Sequence, residues 1–449
     1  MRKITVAAAF LAFASCPAGA ELLKNFKYDG KIEVHAYKSS NQDWAADVFD
    51  GTYSDVDTRL QINASFDLNE DAEAVVSVVK NDRQYDSTGG SQSLDTISKA
   101  LFFEQAHVLL RGVMGLDHRI GRQYYGDEGS IVMYYGPTSW PYEILMPVVA
   151  LDGYTAMYSS GGQSRNERKK WSSRYRSRSE LEFSIHALLA KENNFNNTPD
   201  EDRDISGIRA RCEFPENVKL SAYFYQRKYQ TGTSVRGPDD RLQAAGMALD
   251  GAIVGFEYSA EAVRNLGRAN RLRIPTADLT AGETRGKYTG YAFKSALKYE
   301  FESAARWNVS GEYAFGTGDN SIDRKVSSYQ AVRSDYRPTI IRGYDSADGL
   351  TNLKVLSVGG GCSPMEKLDL KARLVKLDYQ KEVKSGTRAS KTIGNEMNFT
   401  AAWNHNRSIA LKGYYALFNP TSKYAKLIGG TLAENDSETL FGGVLSVKF

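Results

Sequence analysis

Cysteine is scarce in this chain, three in 449 residues, and none falls in a CxxC or CxxCH pattern. That spacing excludes a disulfide framework, a dithiol redox motif and c-type haem attachment. Long hydrophobic runs are missing as well. The best one, from Ile4 to Ala14, is about half of the ~20 residues that a helix needs to cross a bilayer. Catalytic signatures are also lacking: the five histidines (His35, His107, His118, His186 and His405) show no metal-ligand spacing, and no G-x-S-x-G occurs. The sequence therefore predicts no metal, no cofactor and no enzyme. A hydrolytic serine site with no recognisable motif is the remaining alternative.

An excess of one charge is absent too. Arg2-Lys3, the apolar run and Ala18-Gly19-Ala20 read as a secretory signal peptide over residues 1–20, with Glu21 as the first mature residue. Phe13-Ala14-Ser15-Cys16 offers the alternative of a lipidated Cys16. Removing residues 1–20 takes two of the 57 basic residues and none of the 54 acidic ones, so 55 minus 54 leaves +1. Any electrostatic function must then come from where the charges sit. The other two cysteines, Cys212 and Cys362, read as small packed or lipid-facing residues.

What is present is alternation. Leu60, Ile62, Ala64, Phe66 and Leu68 alternate with Arg59, Gln61, Asn63, Ser65 and Asp67. Similar runs occupy 180–189, 307–315 and 396–403. A helical period would place charges on the apolar face of each. Segments of about ten residues with period 2 are the pattern of a transmembrane β-strand, and the signal lies in its repetition. A mean hydropathy of −0.46 fits, because every second residue of such a strand faces water. The 27 tyrosines fit aromatic girdles, with Phe315, Trp403 and Phe418 near strand ends.

Tight turns are expected at Asn69-Glu70-Asp71, Pro215-Glu216-Asn217 and Pro364-Met365-Glu366. Long polar loops are expected near 39–54, 81–99, 192–204, 229–248, 318–350, 380–392 and 419–437. Short turns on the periplasmic side and long loops outside describe an all-β, transmembrane antiparallel β-barrel of about 18 strands. It forms one domain over residues 21–449, localised to a Gram-negative-type outer membrane. The chain ends with Phe441, Leu445, Val447 and Phe449 on one face. That strand resembles the signal by which the barrel-assembly machinery recognises its clients, with Phe449 as the contact.

Short motifs point further. Glu104-Gln105-Ala106-His107-Val108, Gly121-Arg122-Gln123, Gly126-Asp127-Glu128 and Leu151-Asp152-Gly153 resemble blocks of the alginate-export porin family. Gly316-Thr317-Gly318-Asp319-Asn320 and the stretch from Asn352-Leu353 to Pro364-Met365-Glu366-Lys367-Leu368 resemble that family's later junctions. Residues 163–178 and 261–284 match none of its blocks. The resemblance implies an 18-stranded monomer with a basic constriction that passes an anionic polysaccharide such as alginate, with Arg122 as the favoured pore residue.

With the apolar face turned to lipid, alternation places Arg59, Arg111, Arg209, Arg211, Lys294, Lys298, Lys371, Arg373 and Lys412 inside. Guanidinium forks suit carboxylate partners. Glu180, Glu182, Glu213, Glu300, Asp369 and Glu396 also face inward, so the cations either line an anion path or pair across strands. The phase of Arg122 is ambiguous, since Ile120 and Tyr124 share its parity. Asp127, Glu128 and Asp152 are its candidate salt-bridge partners; a cation site or loop capping are the alternatives.

Residues 165–178 hold seven basic residues around Trp171 and Tyr175. A secreted route excludes nucleic acid, leaving a plug, a gathering site for anions, a contact with lipopolysaccharide phosphates or a solvated loop. Expected partners are membrane lipid, lipopolysaccharide and an anionic saccharide. The functions compatible with these features are an anionic-polysaccharide channel, a general or differently selective porin, and a non-conducting structural or adhesion barrel.

Overall fold

The computed structural model describes residues 24–41, 53–82, 101–137, 149–160, 181–192, 203–215, 217–229, 240–269, 286–319, 325–341, 349–428 and 436–449. The signal peptide, Cys16 and the basic run 165–178 lie outside the described residues, as do most of the 192–204 loop and residues 270–285.

The first half supplies β1 (Lys24–Ser40), β2 (Tyr53–Asp67), β3 (Ala72–Asp82), β4 (Leu101–Val113) and β5 (Leu116–Gln123). Next come the short β6 (Tyr125–Gly126) and β7 (Tyr134–Tyr135), then β8 (Leu151–Ser159), β9 (Glu182–Glu192), β10 (Arg203–Glu213) and β11 (Lys219–Tyr229). The second half supplies β12 (Arg241–Ile253), β13 (Phe256–Ala269), β14 (Gly286–Tyr288), β15 (Tyr291–Glu300), β16 (Asn308–Gly316) and β17 (Lys325–Val326). The chain finishes with β18 (Leu353–Met365), β19 (Leu368–Ser385), β20 (Arg388–Asn404), β21 (Ile409–Pro420) and β22 (Glu438–Lys448).

Setting aside β6, β7, β14 and β17, the strands pair antiparallel in sequence order, and β22 pairs back onto β1. The result is a closed 18-stranded barrel. Closure leaves no edge strand, which is what lets a sheet sit in lipid. At the seam Phe449 and Gly30 exchange backbone bonds of 2.9 and 3.0 Å. The Phe449 ring lies over Gly30 so closely that a Cβ there would collide with it.

Alternation sorts the wall as the sequence predicts. On β11, Tyr223, Tyr225, Arg227 and Tyr229 are buried, while Leu220 and Phe224 are exposed on the lipid side. The inner face carries charge: Glu33, Asp57, Arg59 and Glu104 are all nearly fully buried. The predicted tight turns close β2–β3, β10–β11 and β18–β19. Between the first pair the Asn69 side chain accepts the Asp71 amide at 2.9 Å.

Several loop boundaries differ from expectation. Strand β12 starts at Arg241, inside the expected 229–248 loop. The expected 380–392 loop is instead the top of the β19–β20 ladder, which runs to Ser385↔Arg388. Both stretches lie toward the end that bears the long connections. Above the membrane both faces of a strand meet water, so pairing continues after the hydrophobic alternation has stopped. The 419–437 loop opens with a helix, Ser422–Ile428, whose Tyr424 packs on Phe418 and Tyr379. Phe418 is thereby fully buried and does not belong to a lipid-facing girdle. Strand β13 runs to Ala269, into the segment that resembled nothing.

The β8–β9 connection, which holds the basic run, breaks the length rule. Ser160 and Phe183, bonded at 2.9 Å, flank it at the end of the barrel where the short turns lie.

Candidate functional site: an inner layer across the lumen

Two chain segments fold into the barrel and meet. The first, 124–137, contains the β6–β7 pair; the second spans 325–341. Apolar side chains explain why they leave the surface: Ile131, Val132, Met133, Tyr135, Tyr329, Val332, Ile340 and Ile341 are buried. Gly126 has φ +97°, a conformation that a side chain would strain, and a Cβ there would strike the Met133 carbonyl. Backbone bonds tie the segments together, Tyr134 N to Arg333 O at 2.8 Å, Arg333 N to Val132 O at 3.0 Å and Asp335 N to Ser130 O at 3.1 Å. The Tyr329 hydroxyl adds a bond to Ile131 O at 2.7 Å.

The wall holds this layer with buried polar groups. The Glu261 carboxylate accepts the Ser130 hydroxyl (2.9 Å), the Ile131 amide (3.0 Å) and the Tyr223 hydroxyl (2.8 Å). Glu192 accepts Tyr135 (2.9 Å) and Arg333 (3.0 Å). Arg227 donates to the Ala331 and Val332 carbonyls at 2.9 and 2.8 Å. Asn265 and Gln330 bond mutually, and Glu396 accepts the Ile340 and Ile341 amides at 2.7 and 2.9 Å. Such bonds are needed because a buried orphan donor costs about 1–3 kcal/mol.

Most of the basic residues named from the sequence are engaged, whereas Lys371 stands exposed on β19. Arg59 pairs with Glu104 at 2.7 Å, Arg111 with Glu73, and Lys298 with Glu257 and Glu300 at 3.2 and 3.4 Å. Arg373 reaches Glu312 at 2.9 Å, beside the Tyr336 hydroxyl that bonds the same carboxylate at 2.6 Å. Arg209 and Arg211 converge on Asp127, the latter at 2.9 Å. Lys294 donates to the Gly129 carbonyl at 2.7 Å and lies 5.6 Å from the centre of the Tyr336 ring. Asp127, Glu128, Arg209, Asp250, Glu261 and Lys294 surround one crevice, so cations and carboxylates are intermixed there.

Asp127 lies on the inward connection, outside the wall strands. Burial alone pushes its carboxyl up, but the hydrogen bonds and charges of Arg209 and Arg211 outweigh this and lower it to about 2. Arg122 stands elsewhere. It faces Asp152 across the β5–β8 ladder and bonds it at 2.8 Å. It shares the parity of half-exposed Ile120, whereas Gln123 and Thr155 are buried on the other face and bond each other at 2.8 Å. Directly opposed residues share a face, so the Arg122–Asp152 pair belongs to the outward row. Of the three acids matched to Arg122, only Asp152 reaches it; Asp127 serves Arg209 and Arg211, and Glu128 lines the crevice.

Sequence reasoning passed over Arg227, Glu261, Asn265 and Arg333. Parity places the first three inside, but nothing local tells that a segment from elsewhere in the chain would meet them. Among the described residues no cluster of His, Cys, Asp and Glu could hold a metal ion.

A barrel of this fold is shared by known proteins. The structure of OccK8 (OprE) from Pseudomonas aeruginosa is similar, with TM-score 0.56, 10% identity, and coverage of 95% of this chain and 99% of that one. OprD from the same organism gives 0.55 and 8%, covering 95% and 94%. Its OpdK, solved with vanillate, gives 0.52 and 10%, covering 95% and 99%. No curated protein sequence matches the chain significantly. The barrel is thus shared, while the alginate-export specificity implied by the short motifs finds no support in these matches. A family model described as Gram-negative porin matches residues 7–334, well over half of the chain, and the protein therefore belongs to the Gram-negative porin family of the outer membrane.

Proposed function

We propose that the inner layer makes this porin a narrow, selective channel for small hydrophilic solutes, with carboxylate-bearing molecules as the favoured class. The observation behind this reading is the convergence of Arg209 and Arg211 on Asp127, next to Lys294, which donates to the Gly129 carbonyl. A passing carboxylate can exchange with Asp127 for the two guanidinium groups, each of which reaches Asp127 through one nitrogen. The similarity to a barrel solved with vanillate is consistent with a small solute.

Passage of an anionic polysaccharide such as alginate through an Arg/Lys-lined lumen is the second reading, supported by the short sequence motifs. The pairing of Arg59, Arg111, Lys298 and Arg373 with carboxylates weighs against it, because paired cations leave little net attraction for a polyanion.

Planar-bilayer recording separates the two. The first reading expects open channels whose current is reduced by millimolar small carboxylates and is indifferent to uronate oligomers, with Arg209→Ala weakening the small-carboxylate effect. Block by uronate oligomers would favour the second, and a silent barrel would leave a structural or adhesive role.

A further inference from the structure

One row of the wall is charged in a way that the channel does not use. Lys228 faces Arg241 across the β11–β12 ladder, Arg241 faces Arg268, and Arg268 faces Lys287 on β14. These four stand on the outer side. Their alternating neighbours Arg227, Tyr229, Leu242, Ala269 and Tyr288 are buried inward, while Phe224, Met247 and Leu266 share the row's parity and are exposed to lipid. Lys228 also faces Asp204 across the β10–β11 ladder, an acid that lies 3.9 Å from Lys191, whereas Arg241, Arg268 and Lys287 face only cations in their ladders.

Like charges directly opposite one another, with side chains about 5 Å apart, destabilise a sheet. Four in succession, spread over three strand spacings of about 4.8 Å each, call for anions. The row lies where β11, β12 and β13 meet the longer connections, which is the outer interface of a porin.

A second feature adjoins it. On the same outward face, toward the membrane centre, Ala245 and Ala262 form the floor of an apolar groove between Phe224 and Met247 on one side and Tyr291 and Phe315 on the other. Arg264 lines the groove four residues below Arg268, about 13 Å along the strand. An apolar furrow in the lipid zone capped by cations matches an acyl chain joined to a phosphorylated headgroup.

We propose that this face is a specific seat for lipopolysaccharide, its lipid A phosphates held by Lys228, Arg241, Arg268 and Lys287 and one acyl chain lying between Phe224 and Tyr291. Several cations in a line favour a headgroup with more than one phosphate over a zwitterionic phospholipid, which brings one phosphate and its own ammonium. The seat is independent of what crosses the pore.

The test uses full-length barrel refolded in detergent without lipopolysaccharide, followed by native mass spectrometry. Bisphosphorylated lipid A should form a saturable one-to-one adduct. Dephosphorylated lipid A and phosphatidylethanolamine should bind about tenfold or more weakly. Arg241→Gln with Arg268→Gln should weaken lipid A binding by about the same factor, while Lys376→Gln with Lys384→Gln, on β19, should not. Ala262→Trp, which fills the groove, should weaken the adduct with both headgroup arginines present. Heat-modifiable gel mobility reports whether each variant is folded, and the wild-type lipid comparison stands without any variant. Equal binding of phosphorylated and dephosphorylated lipid A, or an unaffected Arg241/Arg268 double variant, would overturn the proposal.

Discussion

Strand β11 presents two faces that obey different rules. Outward, Leu220, Ala222 and Phe224 meet lipid, and any apolar side chain of similar size would satisfy that solvent. Inward, polar groups have designated partners, several of them far away in sequence: Arg227 binds the carbonyls of Ala331 and Val332, and Tyr223 binds Glu261, which in turn holds Ser130 and Ile131. The outer face is specified by composition and the inner face by pairing. It follows that the outer face should tolerate changes of identity but not of polarity, and the inner face the reverse.

The largest effect should come from violating the outer rule at mid-depth. Met247 is exposed at the centre of β12. Met247→Arg should cost about 2–4 kcal/mol, whereas Gln243→Arg, two periods of alternation nearer the interface, should cost about 0–1 kcal/mol. Urea unfolding in lipid vesicles measures both, and equal costs would mean that the membrane sits elsewhere on the barrel. The inner rule is broken most severely at Glu261. Glu261→Ala strands the Ser130 hydroxyl, the Ile131 amide and the Tyr223 hydroxyl, costing about 1–3 kcal/mol for each donor that water does not reach. It should also loosen residues 124–137, raising single-channel conductance and flicker. An unchanged conductance would show that the bonds to Arg333 and Asp335 hold the segment by themselves. Tyr223→Phe removes one of those donors and leaves the others, so it should cost about 0.5–1.5 kcal/mol and leave conductance alone.

The same contrast explains what could be read from the sequence. Barrel, strand polarity and the short turns were legible because lipid imposes a repeating rule on Leu60, Ile62 and Phe66, or on Leu445, Val447 and Phe449, that needs no knowledge of partners. The upper half of the β19–β20 ladder was not, since water on both faces erases the alternation there. The inner layer was hidden for a different reason. Residues 318–350 read as a polar loop, yet Tyr329, Val332, Ile340 and Ile341 are buried against a wall whose matching groups, Asn265 and Glu396, stand far off in sequence. Arg209 and Arg211 were placed inside by parity, but their shared partner Asp127 was assigned to Arg122. Arg122 itself had an ambiguous phase, and only the ladder with Asp152 resolves it.

Asp127 offers the finest test of the inner rule, because its identity can be altered without altering its shape. Asp127→Asn keeps the side chain and removes the charge that offsets Arg209 and Arg211, so the reversal potential in a salt gradient should move toward anions. Protonation should do the same in the native protein. The carboxyl is lowered to about 2 in the folded state, from an ordinary value of 3.8. A depressed carboxyl keeps its stabilising charge above the ordinary value and loses it as pH falls through the folded one. The difference in selectivity between the native porin and Asp127→Asn should therefore persist from pH 7 to pH 4 and vanish only as pH approaches 2. Asp250 lines the same crevice and feels the charge of Asp127, so the comparison is read as the difference between the two proteins and not as the absolute selectivity of either. A difference already gone at pH 4 would mean that Arg209 and Arg211 do not hold Asp127 ionised, and that the crevice is wetter and looser than its hydrogen bonds imply.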